Sequence, residues 1–153
     1  MRDESDLSRF PVRLTLAVQW GEMDAMGHVN NTVYFRWFET ARMEYFRRIG
    51  GQELQRATGV GPILHSTSAR FRAPVTFPDR VEVAARARDL EADRLTMDYV
   101  VRSESLGRVA AEGSGVLVAY DYRAGAKAPL PEAIRRAIEA LEASVRVAAR
   151  AGG

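Results

Sequence analysis

The amino-acid sequence predicts an α+β fold, in which one antiparallel sheet wraps around a long buried helix. Three observations carry this prediction. Apolar residues alternate with polar ones along several segments, those between residues 32 and 49 recur at helical spacing, and short turns separate the later strand-like segments. A helix that is apolar over half of its circumference needs a broad cover, and a curved antiparallel sheet supplies one.

The first predicted elements are a strand over residues 12–20, where every second residue is apolar, and a helix over about 31–49. A polar turn containing Gly27 separates them. The apolar side of the helix is formed by eight residues: Tyr34, Phe35, Trp37, Phe38, Ala41, Tyr45, Phe46 and Ile49. The two glycines at 50–51 are predicted to end the helix.

One cation interrupts the apolar side of this helix. Arg42 falls there beside Phe38, and a guanidinium in apolar surroundings needs a carboxylate partner. Glu39 lies one turn away on the flank of the helix. We therefore expect a structural ion pair between Glu39 and Arg42 beneath the sheet.

Four more strand-like segments and a final helix follow a glycine-rich link at residues 59–62. The segments cover about 63–73, 79–90, 94–104 and 108–122. Because the turns at 91–93 and 105–107 are short, the strands that they join should pair antiparallel as a meander. The last helix should begin near Pro131, whose fixed φ suits a first helical turn. The predicted sheet therefore has five strands.

Length and composition limit the classes of protein to which the chain can belong. Its 153 residues suit a single domain, predicted over 12–150 with an N-terminal extension at 1–11. The net charge of +2 and the scattering of arginines among acids argue against nucleic-acid binding. With no cysteine, disulfides and thiolate chemistry are excluded. A charged N-terminus and the lack of a long apolar run predict a cytoplasmic protein with no membrane segment.

The turn before the predicted long helix carries the chemical signal. Asp24 lies just ahead of the helix N-terminus, where the first backbone N–H groups have no partner within the helix. The positive end of the helix dipole also favours negative charge at this place. A carboxylate beside such N–H groups is suited to attack on a carbonyl carbon, because the N–H groups stabilise the oxyanion that forms.

Several motifs in and after this segment match one family. They are Trp20-Gly21, Asp24-x-x-Gly27-x-Val29, Tyr34-Phe35-Arg36-Trp37 and Glu39-x-x-Arg42, with weaker support from Pro74 and Phe77-x-Asp79-x-Val81. In these motifs the chain resembles the hotdog-fold acyl-CoA thioesterases, specifically the 4-hydroxybenzoyl-CoA thioesterase-like branch, over about residues 12–122. The resemblance implies a hotdog fold, with a five-stranded antiparallel sheet wrapped around the central helix and a C-terminal helix.

The resemblance also implies an activity, the hydrolysis of an acyl-CoA thioester to the free acid and CoA without a cofactor or metal. In that family the motif aspartate is the nucleophile or the general base, and it corresponds to Asp24. A backbone N–H at the start of the central helix forms the oxyanion hole, and it corresponds to Asn31. Family members are homodimers or homotetramers with the acyl-CoA site between protomers. His28, Asn30 and Asn31 depart from the benzoyl-specific pattern, so the acyl group stays open, as does acyl-carrier protein in place of CoA.

Eight further residues are candidates for substrate binding: Gly27, His28, Tyr34, Ser66, Thr67, Ser68, Arg70 and Arg72. Each has a competing structural role, since a histidine can order a turn, a tyrosine can be core, and strand hydroxyls can satisfy an edge. In the family, the strand with the three hydroxyls borders the thioester across the dimer. Arginines suit phosphate groups, although a solvated face is their commoner place. The two histidines, His28 and His65, lack the spacing of a metal site.

Three other interpretations stay open on the sequence alone. Glu39 is an alternative catalytic acid, because another hotdog branch places its acid on the central helix. A hotdog hydratase or dehydratase acting on enoyl or 3-hydroxyacyl thioesters has four residues between an Asp and a His, with a nearby proline, whereas three residues separate Asp24 from His28 here. A non-catalytic acyl-thioester binding protein would show affinity without turnover.

Overall fold

The computed structural model describes residues 7–152 as one sheet with three helices and their connections. In chain order the elements are β1 (Val12–Ala17), α1 (Asn31–Arg48), α2 (Gly51–Thr58), β2 (Val60–Phe71), β3 (Arg80–Arg88), β4 (Arg94–Ser103), β5 (Arg108–Asp121), β6 (Ala126–Lys127) and α3 (Glu132–Ala151). A single 3₁₀ turn, Trp20–Glu22, lies between β1 and α1. Within the described part of the chain, none of the helices has the length and apolar character to cross a membrane.

All strand pairs of the sheet are antiparallel, and the order of the five long strands is β1-β3-β4-β5-β2. The strands β3, β4 and β5 form the predicted meander. The two edges are β1, which pairs with β3, and β2, which pairs with β5. The short β6 pairs with the end of β5 and makes the sheet six-stranded. The predicted α+β architecture is confirmed.

The core lies between α1 and the inner face of the sheet. Buried residues of α1 are Val33, Tyr34, Trp37, Phe38, Ala41 and Tyr45. The Phe38 ring stacks on Tyr99 of β4 at a centroid distance of 4.8 Å, and it occupies the space that a side chain at Gly113 would need. The helical spacing in the sequence therefore identified both the helix and the side that it buries.

The outer face of the sheet is covered in part by the segment that precedes β1. Leu7 and Phe10 are buried in a small cluster with three sheet residues, Ala84, Val100 and Val109. This part of the predicted extension at 1–11 thus packs on the domain. Residues 1–6 lie outside the described part of the chain.

The first strand ends earlier than predicted. β1 stops at Ala17, and Trp20 belongs to the 3₁₀ turn, where it is 72% exposed. The Glu22 carboxylate accepts a hydrogen bond from the Gln19 backbone N–H at 2.6 Å, which holds the chain in the turn. The alternating pattern in the sequence therefore extends beyond the last residue of β1 that pairs with β3, and Trp20 does not enter the core.

The link after α1 is also different from the prediction. Gly50 ends α1 with a left-handed φ of 74°, but α2 begins directly after it. The sequence of α2, Gly-Gln-Glu-Leu-Gln-Arg-Ala-Thr, consists mostly of good helix formers. Gly59, with a φ of 80°, ends this second helix, and β2 begins at Val60 rather than near residue 63.

The predicted ion pair between Glu39 and Arg42 is absent from the described residues. Arg42 donates from Nη1 to the Tyr99 hydroxyl at 3.3 Å, toward β4, whereas Glu39 is exposed. The prediction was wrong because the two side chains leave the helix toward different surroundings. Keeping Glu39 in water also avoids the cost of desolvating its carboxylate.

Helix α3 is fastened to the domain through Glu142. Its Oε1 atom accepts hydrogen bonds from the Tyr45 hydroxyl and the Ala87 N–H, both at 2.7 Å. Because β1 pairs with β3 only as far as Ala85, this carboxylate satisfies a backbone donor beyond the end of β1. Burial raises the pKa of the Glu142 carboxyl, although both hydrogen bonds oppose that shift.

Asp79 connects the start of β3 to the turn between β4 and β5. It accepts hydrogen bonds from the hydroxyl of the fully buried Ser103 at 2.5 Å, from Ser105 N–H at 3.0 Å and from Arg80 N–H at 2.7 Å. Burial by itself raises the pKa of the Asp79 carboxyl, but these hydrogen bonds together hold it below its ordinary value. The motif residue Asp79 is therefore structural.

Candidate functional site

An open pocket lies at the N-terminal end of α1. The loop before the helix, the first turn of α1 and the segment that follows β2 line it. Among its lining residues are five of the predicted site residues: Asp24, His28, Asn31, Tyr34 and Arg72. The turn residue Gly27 contributes backbone conformation instead, with a left-handed φ of 76° that glycine adopts without strain.

Backbone hydrogen bonds fix the position of Asp24. Its N–H donates to the His28 carbonyl at 2.8 Å, and its own carbonyl accepts from Gly27 N–H at 3.0 Å. The Oδ1 atom accepts from Met26 N–H at 2.9 Å, which closes a tight turn. The Oδ2 atom makes no hydrogen bond within residues 7–152, and the side chain is exposed at the pocket. One carboxylate oxygen is thus anchored and the other is available.

The loop itself is tied to the rest of the fold on both sides. Val29 N–H donates to the Val75 carbonyl at 2.8 Å, and Asn30 N–H donates to the Glu22 carbonyl at 2.9 Å. An isolated bridge pairs Met23 with Val29 across the loop. These bonds hold the acid against the start of α1, although the loop lies at the surface.

The first turn of α1 leaves one backbone donor unused. Asn30 is the N-cap, and its Oδ1 accepts hydrogen bonds from the N–H and the hydroxyl of Thr32 at 3.0 and 2.7 Å. The Val33 N–H donates to the Asn30 carbonyl at 3.0 Å. In the described part of the chain the Asn31 N–H has no acceptor, and Asn31 lines the same pocket as Asp24. A helix N-terminus with an unused N–H is a site for negative charge.

One wall of the pocket is aromatic. The Tyr34 ring is buried and meets the Phe71 ring edge to face at a centroid distance of 5.1 Å. Burial raises the pKa of the Tyr34 hydroxyl, opposed by a hydrogen bond from the Val75 backbone. Tyr34 therefore contributes a buried aromatic ring to the wall of the pocket.

Sequence reasoning missed the two large, exposed apolar side chains of this pocket. Phe71, at the end of β2, is 47% exposed, and Met26, at the tip of the loop, is largely exposed. The signal was available for Phe71, because it directly precedes Arg72 at the end of a predicted strand. Nothing in the pattern around Met26 distinguishes it from an ordinary turn residue.

Four predicted site residues lie away from this pocket within one protomer. Thr67 donates from its hydroxyl to the Ser114 carbonyl at 3.2 Å, and the Ser68 hydroxyl lies 3.4 Å from the Ser114 hydroxyl. Ser66 and Arg70 are on the same edge strand, β2, with Ser66 exposed and Arg70 at the rim of its outer face. The structure of the single chain therefore does not bring them to this pocket, and their contact with substrate stays a prediction.

The two histidines lie apart, His28 in the pocket and His65 at the irregularity where the pairing of β2 with β5 shifts. Among residues 7–152 no group of three or more His, Asp or Glu side chains is arranged to hold a metal ion. The expectation that the protein works without a cofactor stays a prediction.

Comparison with known proteins identifies the family. A family model described as the thioesterase-like superfamily matches residues 18–138. A thioesterase from Thermus thermophilus, solved in complex with coenzyme A and Zn, is 37% identical, with 88% of this chain and 96% of that chain covered and a TM-score of 0.77. The PA5185 protein from Pseudomonas aeruginosa is 28% identical, with 88% and 94% covered and a TM-score of 0.77.

A gentisyl-coenzyme A thioesterase, BH1999, shares the fold at 24% identity, with 82% of this chain and 98% of that chain covered and a TM-score of 0.72. The family match and the Thermus likeness confirm the predicted hotdog fold and the predicted class of enzyme, a thioester hydrolase. The chain belongs to the thioesterase-like superfamily.

Proposed function

We propose that the protein hydrolyses an acyl-CoA thioester, with Asp24 as its catalytic carboxylate. The observation that carries this proposal is the presence of two unused groups at one pocket, the Oδ2 atom of Asp24 and the Asn31 N–H, within the described part of the chain. A carboxylate supplies either a nucleophile or a base. An N–H at a helix N-terminus stabilises the negative charge that develops on the carbonyl oxygen.

Two routes use these groups. In the first, Asp24 attacks the thioester carbon, the C–S bond breaks with release of CoA, and water hydrolyses the mixed anhydride to the acid and free Asp24. In the second, Asp24 takes a proton from water as the water oxygen bonds to the carbon. The C–S bond then breaks, and the proton passes to the departing sulfur. Both routes form an oxyanion to which the Asn31 N–H donates.

The other residues of the pocket have supporting roles in this proposal. The His28 carbonyl accepts a hydrogen bond from the Asp24 N–H and so helps to position Asp24. Tyr34 and Phe71 form an apolar wall for the carbons next to the thioester. Arg72, which pairs with Glu112 at 2.9 Å, lies at the pocket where a phosphate of CoA could compete for its guanidinium. The CoA bound to the Thermus relative supports CoA as the carrier.

The proposal includes a homodimer formed through β2. This strand is an edge of the sheet, it is twelve residues long, and Ile63, Leu64 and Phe71 are exposed along it. A long apolar edge invites pairing with another strand, and a second copy of β2 would satisfy it. Pairing of two copies would also bring Ser66, Thr67 and Ser68 toward the partner's site.

Thiol release from a panel of short, medium, long and aromatic acyl-CoAs tests the proposal. We expect wild type to cleave at least one class. The Asp24→Asn variant should lose at least about 100-fold in kcat, the scale of a lost acid–base group. The matched control is Asp121→Asn, which makes the same change at an acid near the end of β5, outside the pocket.

Each other outcome supports a different function. Equal activity in Asp24→Asn and wild type would remove Asp24 from the mechanism and direct attention to Glu39. Binding of acyl-CoA without thiol release would support a non-catalytic binding protein or a substrate on acyl-carrier protein. Hydration of crotonyl-CoA without cleavage would identify a hydratase.

A further inference from the structure

A basic groove lies on the outer face of the sheet, the face that does not pack against α1. It has a volume of about 680 Å³ and runs from the C-terminal part of β2 to the end of β3. Four arginines line it: Arg9, Arg70, Arg86 and Arg88. Among its described lining residues there are two carboxylates, Asp98 and Glu112. The excess of positive charge in this one groove therefore equals the net charge of +2 of the whole chain.

Two of these arginines, at opposite sides of the groove, have guanidinium groups available for an anion. Arg9 comes from the segment before β1, and Arg70 comes from the edge strand β2; both are exposed. Within residues 7–152, neither forms an ion pair or a side-chain hydrogen bond. An arginine has five N–H donors in a planar fork, which suits the oxygens of a phosphate group. Both side chains thus keep this full set of donors for a ligand.

The other two arginines are held in place by acids of the fold. Oδ2 of Asp98 accepts hydrogen bonds from Nε of Arg86 at 3.1 Å and from Nε of Arg88 at 2.8 Å. Arg88 also pairs with Asp89, and the guanidinium of Arg86 lies 4.8 Å from the centre of the Phe10 ring. Each uses at most two of its five N–H donors in these bonds. The end of the groove at β3 therefore offers fixed positive charge with spare donors.

Hydroxyl groups form part of the floor between the two ends of the groove. The register of the sheet places Ser68 opposite Ser114, Ser114 opposite Asp98, and Asp98 opposite Arg86. The hydroxyls of Ser68 and Ser114 lie 3.4 Å apart. This row crosses four strands and spans about 14 Å, because neighbouring strands lie about 4.8 Å apart. The floor is thus polar and extended, and it suits a ligand that carries several hydrogen-bonding groups.

One ion pair connects the groove to the Asp24 pocket. Arg72 lines the Asp24 pocket, and its guanidinium donates to the carboxylate of Glu112 at 2.9 Å. Glu112 in turn lines the groove, and it lies opposite Arg70 in the sheet. Arg70 and Arg72 are two residues apart, which is about 7 Å at the rise of a strand. A ligand with its reactive end at Asp24 and a long arm therefore reaches the groove by passing Arg72.

We infer that this groove binds the nucleotide of a CoA substrate, 3′-phosphorylated ADP, while the thioester lies at Asp24 of the same chain. Phosphate oxygens accept hydrogen bonds from Arg9 and Arg70, and Arg86 and Arg88 add fixed positive charge beside them. The inference rests on the proposed thioesterase function and deepens it, because it selects the carrier. An acyl-carrier protein presents its pantetheine arm without a nucleotide, so a site built for the nucleotide favours CoA.

The first test compares the preferred acyl-CoA with the same acyl group on pantetheine, which lacks the nucleotide. Wild type should have a kcat/KM at least about tenfold higher on acyl-CoA, the scale of one hydrogen bond to a charged group. A double variant, Arg9→Gln with Arg70→Gln, should lose most of this advantage, chiefly through a higher KM for acyl-CoA. A wild-type ratio near one, or a ratio that the double variant keeps, would overturn the inference.

The matched control is Arg13→Gln, which removes the same charge from an exposed arginine of β1 outside the groove. This variant should keep the wild-type ratio of the two kcat/KM values. An equal loss in Arg13→Gln and in the double variant would mean that overall positive charge attracts CoA without a defined site, and it would overturn the inference.

The second test measures binding of 3′,5′-ADP by calorimetry and needs no turnover. Wild type should bind it, the double variant should bind at least about tenfold more weakly with an unchanged Tm, and inhibition should be competitive with acyl-CoA. No binding by wild type, or non-competitive inhibition, would overturn the inference and leave the proposed function standing. If wild type releases no thiol from any substrate, the proposed function fails, and the calorimetry still decides whether the groove binds the nucleotide.

Discussion

The two ends of α1 differ in what they leave unsatisfied. At the N-terminal end, within the described part of the chain, Asp24 keeps a free carboxylate oxygen and Asn31 an unused N–H, and both residues line an open pocket. At the C-terminal end, the polar groups of Tyr45 and Glu142 satisfy one another beneath α3. One end of the same helix therefore holds polar groups ready for a ligand, whereas the other end is built to pack.

This difference separates the residues that stabilise the fold from those that carry out the chemistry. Groups left without partners add nothing to the free energy of unfolding, and natural proteins tolerate them where function needs them. Substitution of Asp24 should therefore change activity with little effect on stability. Substitutions in the middle and at the C-terminal end of α1 should lower stability with little direct effect on the chemical step.

The largest loss of stability is expected at Phe38, midway between the two ends. Its ring is 1% exposed, stacks on Tyr99 and fills the space over Gly113. Phe38→Ala should lower the free energy of unfolding by about 3–5 kcal/mol, because it removes a buried ring and leaves a cavity. Urea denaturation measures this, with Phe38→Leu as a smaller truncation. A loss under about 1 kcal/mol would show that the middle of α1 does not hold the two ends together.

Asp79 is a useful contrast to Asp24, because its carboxylate accepts hydrogen bonds that stabilise the fold and it has no proposed catalytic role. Asp79→Asn should cost about 1–3 kcal/mol, because the Ser103 hydroxyl loses a charged acceptor. The pKa of Asp79 is lowered in the fold, so its contribution is present above the unfolded pKa and is lost as pH falls through the folded one. Unfolding at pH 7 and at pH 3 should show that the variant differs from wild type more at pH 7. An equal difference at both pH values would contradict the assignment.

Substitution of the N-cap residue Asn30 should have modest effects on both stability and activity. Asn30→Ala removes the acceptor for Thr32 and should cost about 1 kcal/mol. Because Asn31 follows directly, its N–H should also lose alignment, and kcat should fall while Asn30→Ser retains most activity. Equal kcat in Asn30→Ala and wild type would show that the first turn needs no cap to hold the oxyanion donor.

The smallest effect is expected at Glu142, and it should be confined to stability. The pKa of Glu142 is raised by burial, so its charged form is disfavoured in the fold. Stability should therefore decrease as pH rises from the unfolded pKa through the folded one. Glu142→Gln removes this pH dependence and should leave kcat unchanged. A change in kcat would mean that the C-terminal end of α1 is coupled to the chemistry.

The sequence predicted the elements more reliably than their arrangement. Local periodicity identified α1 and the meander, because helical spacing and short turns depend on neighbouring residues alone. The place of β2 beside β5, at an edge of the sheet, depends on contacts between distant segments. The direction of Arg42, toward Tyr99 and away from Glu39, depends in the same way on what α1 packs against.

The candidate site was predicted where its residues are close in sequence. Asp24, His28 and Asn31 share one loop, and the structure brings them to one pocket with Tyr34. Of the site residues predicted on and just after β2, Arg72 lines this pocket, whereas residues 66–68 do not. A motif specifies the loop that carries the acid, but it does not specify which distant segments come to lie beside that loop.

The most direct test of the central claim is to measure kcat and thermal unfolding together for Asp24→Asn on the acyl-CoA that wild type prefers. The account predicts a loss in kcat of at least about 100-fold, equivalent to about 2.7 kcal/mol of transition-state stabilisation. The Tm should stay within about 1 °C of wild type, because the carboxylate makes one short-range hydrogen bond. Wild-type kcat in the variant, or a loss of activity that only follows a loss of folding, would contradict it.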